Sequence, residues 1–412
     1  MKTRLHFLIL TIILFSASYF DVNAQGCVAV RQMGGVNPLS ISGYTLPKGE
    51  FQIGTGYRYF HSFRHFVGTE EQTHRQTTGG GHDANGKELG NAVNIYSHAI
   101  DFNASYGITD RLQVSMFIPF VHNERSQVLR QTAPTVDTFR YSVYAHGLAD
   151  IRFNVSYWMF DPNKASRGNL LIGLGLKTNS GSYTVKDNAP QANGTTANVM
   201  MDQAIQPGDG GVGFSIEMQG FVKMYKGLYG FANGYYLFNP RESNGSYKSA
   251  PTVVKDEEGN VLGTLTGYNL YASPDQYFVR AGFMTTVGKA KSLTLSLGGR
   301  FEGIPAYDAL GGQVAYRRPG YVIAIEPGVT YSRGRHSVSL FVPFNIVRNR
   351  IQSAADIANQ DLKNSVITDE SEKVHVQGDA AFADYSISVN YSYRLGKLFN
   401  KKQGNLTPQK VF

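Results

Sequence analysis

The segment Asp384–Leu395, DYSISVNYSYRL, places an apolar or aromatic residue at every second position. Serines, an asparagine and an arginine stand between them. Because successive side chains of a strand point to opposite faces, this pattern predicts a strand that separates an apolar medium from a wet one. The same alternation recurs along the chain in about twelve segments, each near the roughly 9–11 residues that a tilted strand needs to cross a bilayer.

The connections between these segments alternate in length. Five are tight turns and six are long and polar, at about residues 61–93, 122–147, 178–211, 239–275, 302–319 and 348–381. Short periplasmic turns, long external loops and an even strand number are typical of outer-membrane barrels. The sequence therefore predicts an all-β fold, a transmembrane antiparallel up-and-down β-barrel of about 12 strands. Closure is required because an open strand edge in hydrocarbon would leave backbone groups unpaired. A soluble all-β protein is the main alternative.

Composition agrees with strands and turns, since the 412 residues include 45 Gly, 25 Tyr and 25 Phe. The mean hydropathy of −0.24 does not exclude a membrane barrel, whose strands are only half apolar. The barrel is expected over residues 49–399, followed by a periplasmic tail at 400–412. Its closing strand is expected to be Asp384–Leu395, paired with the first strand around Phe51–Tyr59.

The first 24 residues have a positive start, a short apolar run and a small-residue end, which indicates a secretory signal peptide cut between Ala24 and Gln25. An uncleaved anchor and a lipoprotein modified at Cys27 are the alternatives. Residues 25–48 then form either a periplasmic segment or a plug of the lumen. Both termini are expected on the periplasmic side of the outer membrane of a Gram-negative bacterium.

If the apolar set faces lipid, the opposite phase faces the lumen. It contains Arg58, Asp101, Asn103, Asp150, Arg152, Lys177, Glu217, Arg280, Arg300, Glu326 and Arg394. Such charged residues would be very costly facing lipid at the bilayer midplane. Two interpretations stay open: a network of paired charges that fills the barrel, and a pore constriction that selects solutes.

Two further features concern the strand ends and the last long loop. The sequence QVSMFIPF, ending at Phe120, is echoed by SVSLFVPF, ending at Phe344. Because proline cannot donate to a β-ladder, Pro119 and Pro343 are expected to end their strands. Residues 350–364 have helical spacing of apolar residues, which predicts a short loop helix packed on the barrel rim.

Several segments resemble one family. They are Ser105–Phe120, with a GITDR turn leading to a Pro-aromatic pair, His146–Phe160 with GLAD, the Gly-rich Asn169–Tyr183, and Ile205–Phe214 with GDGG. They resemble the phenol-degradation (meta-pathway) transporter family of outer-membrane β-barrels, in a Bacteroidetes-like form. The resemblance is good over the first half of the barrel and implies a barrel; the family name implies uptake of aromatic compounds.

Enzyme signatures are missing from the sequence. His61 and His65 are four residues apart, but at a strand exit this spacing does not converge on a metal as it does on a helix. No Ser–His pattern and no phosphate-binding glycine loop stand out, so no enzyme, cofactor or metal is expected. The formal charge of +8 favours contact with anionic lipid headgroups, not nucleic acid.

Two functions of different class follow from these observations. The first is a channel or transporter that passes small molecules, aromatic or apolar ones included, passively across the outer membrane. The second is a closed structural barrel that binds partners through its long external loops. In either case the expected partners are outer-membrane lipid and the barrel-assembly machinery, together with a small-molecule solute for the channel.

Overall fold

The computed structural model describes residues 46–288 and 292–397. The predicted signal peptide, nearly all of 25–48 and the tail lie outside the described residues and stay predictions. Twelve antiparallel strands form one sheet. They are β1 Glu50–Val67, β2 Val93–Gly107, β3 Leu112–Gln131, β4 Asp137–Leu148 continued by Arg152–Trp158, β5 Gly168–Lys177, β6 Gly213–Tyr225, β7 Leu228–Phe238, β8 Gln276–Val287, β9 Leu293–Ile304, β10 Gly320–Arg333, β11 His336–Phe341 continued by Phe344–Asn349, and β12 Ala380–Lys397.

The sheet closes into a cylinder where β12 pairs with β1. The pairing runs from Glu50 opposite Lys397 to Phe66 opposite Ala380, with Tyr57 opposite Val389. Every strand of the wall therefore has a neighbour on both sides, as a barrel in hydrocarbon requires. The predicted closing strand and the twelve-strand barrel are both confirmed.

The two faces of the wall have opposite chemistry, in the predicted phase. In β4, Val155 is 50% exposed while its neighbours Asn154 and Ser156 are 6% and 4% exposed. In β5, Leu174 is 64% exposed. Apolar residues thus cover the outside of the cylinder and polar residues line its inside, the reverse of a soluble protein. The apolar medium of the alternating strands is lipid.

The connections define two ends of the barrel, here called the turn end and the loop end. One predicted long loop is wrong, since most of residues 122–147 is not a loop. Strands β3 and β4 continue through it as a hairpin joined at 132–136. The apolar alternation ends where the hairpin leaves the bilayer, but cross-strand pairing does not depend on that alternation, so sequence pattern alone misses it.

The prediction that the two prolines end their strands is also wrong. Pro119 lies inside β3, and its carbonyl accepts a hydrogen bond from Ala149 N at 2.8 Å, where β4 is interrupted. Pro343 lies at the interruption of β11, after which the strand resumes. The N–H that proline lacks therefore interrupts the hydrogen-bond ladder locally, but it does not end the strand.

The loops carry structure of their own. The short helix α1 Thr73–Thr77 and three two-stranded sheets lie at the loop end. Their paired strands are Lys186–Pro190 with Thr196–Met200, Ser243–Tyr247 with Leu270–Ala272, and Thr252–Lys255 with Val261–Leu265. Glu70–Glu71 pairs with the end of β1. No helix among the described residues has the length and apolar character needed to span a bilayer.

The helix expected at 350–364 is present as α2, Ala354–Asn364. A reciprocal capping box begins it: Ser353 accepts from Asp356 N at 3.1 Å, and the Asp356 carboxylate accepts from Ser353 N at 2.8 Å. Its Leu362 packs against Gly263 of a loop hairpin. The helix therefore belongs to the outer rim. A three-residue 3₁₀ helix, Glu370–Glu372, follows it.

The two faces can be tested on one strand. Val389→Arg, at an outward position, should block assembly because arginine on the lipid face costs about 2–4 kcal/mol at the midplane. Asn390→Asp, at the next and inward position, should assemble normally. The measurement is the fraction of each variant that keeps the faster gel mobility of a folded barrel before heating. Equal assembly of both variants would contradict the assigned phase.

Candidate functional site: the barrel lumen

The structure separates the eleven predicted lumen residues into three groups along the barrel axis. Arg394 lies at the turn end, 3.8 Å from Glu50. Asp150 and Lys177 lie towards the loop end. The rest line the wall between them: Arg58, Asp101, Asn103, Arg152, Glu217, Arg280, Arg300 and Glu326. Their role as a pore lining stays a prediction.

A chain of buried ion pairs crosses three neighbouring strands in the middle of the barrel. Arg280 Nη1 lies 2.7 Å from Glu326 Oε1, and Arg300 bridges Glu326 at 3.0 Å and Glu302 at 2.8 Å. All four side chains are at most 3% exposed. Glu302 is not among the predicted lumen residues because it falls in the loop expected at 302–319, although it has the same phase as Arg300.

The same layer reaches across the lumen. The guanidinium of Arg152 on β4 lies 5.5 Å from the ring centre of Tyr235 on β7. Arg58 on β1 interacts electrostatically with Asp101 next to it and with Glu302 on β9. Charged groups on opposite walls therefore lie within electrostatic range of one another at this level. We call these residues the charged layer.

Below the charged layer, towards the turn end, the lumen is aromatic. Strand β7, whose phase the sequence left ambiguous, points Tyr229, Phe231 and Tyr235 inwards. With both faces of β7 apolar, no alternation marks the strand. The aromatic half consists of Trp158, Phe221, Tyr229, Phe231, Met284 and Phe341. Arg280 of the charged layer lies 5.1 Å over the Phe341 ring, so the two zones are in contact.

Above the charged layer, residues 201–211 fold into the mouth of the barrel. Met201 and Ile205 pack on Ile95, Val143 and other apolar residues of the inner wall. The carbonyl of Ile205 accepts a hydrogen bond from Asn123 on β3 at 2.8 Å. On the far side Gln203 donates to the carbonyl of Ala272. We call this segment, which spans from one wall to the opposite loops, the plug.

The glycines of the plug explain its sequence, IQPGDGG. Gly208 N donates to Ser182 O at 2.8 Å, and the backbones are so close that no Cβ fits at this position. Gly210 has φ +79°, in the left-handed region. At Gly211 a Cβ would overlap the Asn239 side chain. The Gly-Asp-Gly element quoted as a family resemblance is thus a device that folds the chain inwards.

One end of the plug is held by a carboxylate between two arginines. Asp202 accepts a bidentate pair from Arg318 at 2.8 Å each and an ion pair from Arg125 at 2.7 Å. Burial alone would raise the pKa of Asp202, but the two guanidiniums hold that pKa well below its usual range. We call Asp202, Arg125 and Arg318 the latch, and it stays ionised throughout the physiological pH range.

The other end of the plug is held at Asp209. Lys177 Nζ lies between Asp209 and Asp150, and it also donates to Gly211 O at 2.6 Å. Asn244 and Ser273 donate to the carbonyl of Asp209 at 3.1 and 2.7 Å. Lys177 and Asp150, predicted as pore-lining, therefore anchor the plug. The other predicted plug, residues 25–48, lies almost wholly outside the described residues.

Comparison with known proteins reveals a fold and no close relative. No family model matches the sequence. No curated protein matches it either. An outer-membrane channel from Pseudomonas putida F1 superposes with a TM-score of 0.52 at 10% identity, covering 87% of this chain and 99% of that chain. The two chains share the β-barrel fold.

Two other solved barrels superpose less well. The Ralstonia pickettii toluene transporter TbuX has a TM-score of 0.41 at 11% identity, covering 91% of this chain and 99% of its own. A Pseudomonas aeruginosa FadL homologue has 0.38 at 9%, covering 90% and 98%. Since no family model matches, the resemblance to the phenol-degradation transporter family stays a prediction.

The charged layer can be tested through stability. Glu326→Gln should destabilise the folded barrel by about 3–5 kcal/mol, because removing one partner leaves buried Arg280 without its counter-charge. Glu258→Gln, at an exposed position in a loop hairpin, is the matched control and should change nothing. The measurement is the urea midpoint of unfolding in lipid bilayers. Identical midpoints for both variants would show that the layer is solvated and not a closed network.

Proposed function

We propose that this protein is an outer-membrane channel that passes small molecules with apolar or aromatic parts, and that the movement is passive. The loop end faces the outside and the turn end, with both termini, faces the periplasm. The observation that carries the proposal is the aromatic half of the lumen, which lies inside a barrel whose outer surface is already covered by lipid.

A solute of this kind would pass three zones of the lumen in turn, and each zone has a chemistry that suits it. At the mouth the plug has polar attachments to the walls, so water and solute can replace them. The charged layer follows, and beneath it the aromatic half offers rings in contact with the charges above. Aromatic side chains bind apolar solutes by burial of area, whereas an aqueous pore needs a polar lining throughout.

Passage of a solute requires the plug to move, because residues 201–211 extend across the mouth of the barrel. The plug is the mobile candidate because polar side-chain bonds fix it at Asp202 and Asp209 and its apolar contact involves mainly Met201 and Ile205. The walls are held by continuous backbone ladders. We propose that the structure represents the closed state of the channel.

A closed surface-interaction barrel is the second candidate. The buried ion pairs of the charged layer favour it, because they stiffen the inner wall. The paired strands and helix α2 at the loop end favour it as well. The discriminating property is conductance, because a barrel that only presents its loops has no need of a passage.

Trp158 is the only tryptophan of the chain and reports on the aromatic half. It is 2% exposed and its ring centre lies 6.4 Å from that of Phe221. A neutral aromatic quencher, nitrobenzene, should quench Trp158 fluorescence to saturation in purified protein. The control is a Trp158→Phe, Phe153→Trp protein, with the reporter on the lipid face, where quenching should rise linearly. Linear quenching of Trp158 would contradict solute binding in the lumen.

Conductance tests the plug. In planar bilayers, wild type should conduct rarely, and Asp202→Asn should conduct more often because the latch loses its charge pairing with Arg125 and Arg318. Asp361→Asn, on the exposed side of α2, should behave as wild type. If neither wild type, Asp202→Asn nor a variant lacking residues 25–48 conducts, the channel function is wrong and the second candidate is favoured.

A further inference from the structure

A small cavity lies directly beside the latch. Its volume is about 70 Å³, enough for several water molecules or for a carboxylate group. Its polar wall consists of His65 on β1, Arg75 on α1, Arg125 on β3, and Arg318 and Asp379, which precede β10 and β12. Residues distant in sequence thus converge on one chamber at the loop end.

The cavity has an excess of positive charge. Of its three arginines, Arg125 and Arg318 share the single carboxylate of Asp202. Arg75 Nη1 lies 3.1 Å from Asp379 Oδ2, and Nδ1 of His65 lies 2.6 Å from the same oxygen. Three guanidiniums therefore face two carboxylates. A group that brings one negative charge would balance the site.

Two buried polar atoms at the cavity have no hydrogen-bond partner. They are Nε2 of His65, a residue 4% exposed, and Nε of Arg125. Buried polar groups normally have partners, so unpartnered ones require an explanation. Because Asp379 holds Nδ1 of His65, the free edge of the ring is directed away from that carboxylate. The Nε–H of Arg125 is therefore an unpaired hydrogen-bond donor at the cavity.

The opposite wall of the cavity is apolar. Val93 and Ile95 of β2 and Ala380 and Ala381 of β12 form it. Planar guanidinium groups match the geometry of a carboxylate, while an aliphatic wall fits a carbon skeleton and not the second and third charged oxygens of a phosphate. The cavity therefore suits the charged end of a solute that is otherwise apolar.

We propose that this cavity binds the carboxylate of a small monocarboxylic acid with an apolar body, and that the ligand competes with Asp202 for Arg125 and Arg318. The proposal deepens the channel function and rests on it for its consequence: a carboxylate that takes over the two arginines releases the latch. The ligand then opens the plug at the mouth from which it enters.

The test is calorimetric titration of the purified full-length protein with benzoate. Wild type should bind benzoate, and benzamide, its neutral analogue, should bind at least about tenfold more weakly, as expected for loss of a charge-assisted hydrogen bond. Inorganic phosphate should not displace benzoate at equal concentration. Equal binding of benzamide, or displacement by phosphate, would overturn the carboxylate assignment.

Two variants separate binding from mere loosening of the plug. Both Arg125→Gln and Asp202→Asn break the latch, yet Arg125→Gln should weaken benzoate binding about tenfold or more, and Asp202→Asn should strengthen it. Arg333→Gln, exposed at the turn end, is the charge-matched control and should bind as wild type. Changes of the same sign in both latch variants would overturn the competition.

Uptake into proteoliposomes distinguishes this site from the channel function. If the protein takes up benzyl alcohol but does not bind benzoate, the carboxylate site is wrong and the channel stands. If it binds benzoate with the expected variant pattern but transports neither solute, the site stands and the channel function is wrong.

Discussion

The pairing of β12 with β1 is the constraint on which the rest of the molecule depends. In hydrocarbon an unpaired backbone N–H or C=O costs several kcal/mol, so the sheet must close. Closure at twelve strands then gives the interior an intermediate width. It is wider than an interior that side chains simply fill and narrower than one that remains an aqueous pore. What fills that interior is decided by the inward residues, and here they are charged in the middle and aromatic towards the turn end.

Much of this architecture could be predicted from the sequence because the bilayer imposes a period of two. The polarity of Val155 and Asn154 is enough to predict which of them faces lipid and which faces the lumen. The pairing of Asp384–Leu395 with the first strand follows from its place as the last strand. The wrong predictions have one physical cause. Alternation of apolar and polar residues shows which medium lies on each face of a strand, but it does not show whether the backbone is in a strand. Residues 122–147 lost it on leaving the bilayer but stayed in strands, and β7 lost it because its inner face is aromatic.

The candidate site was harder to predict because it depends on contacts across the barrel. Arg300 and Glu326 were recognisable as inward charges, but nothing in the sequence pairs them, and Glu302 was assigned to a loop. Asp202 has no local signal, because its partners Arg125 and Arg318 lie 77 and 116 residues away. The IQPGDGG element was the one visible sign, since glycines in series indicate close backbone approach.

The plug is held by ion pairs at both ends in addition to the apolar packing of Met201 and Ile205, and the ion pairs have a consequence for its control. The depressed pKa of Asp202 means that the latch contributes its stability above the usual aspartate range and loses it only as the pH falls below that range. Ordinary changes of pH therefore leave it closed. An arginine–carboxylate pair is nevertheless exchangeable, because another carboxylate can replace the first with nearly the same geometry. A latch of this kind discriminates by chemical identity, and it opens for a solute that carries the group which the latch itself uses.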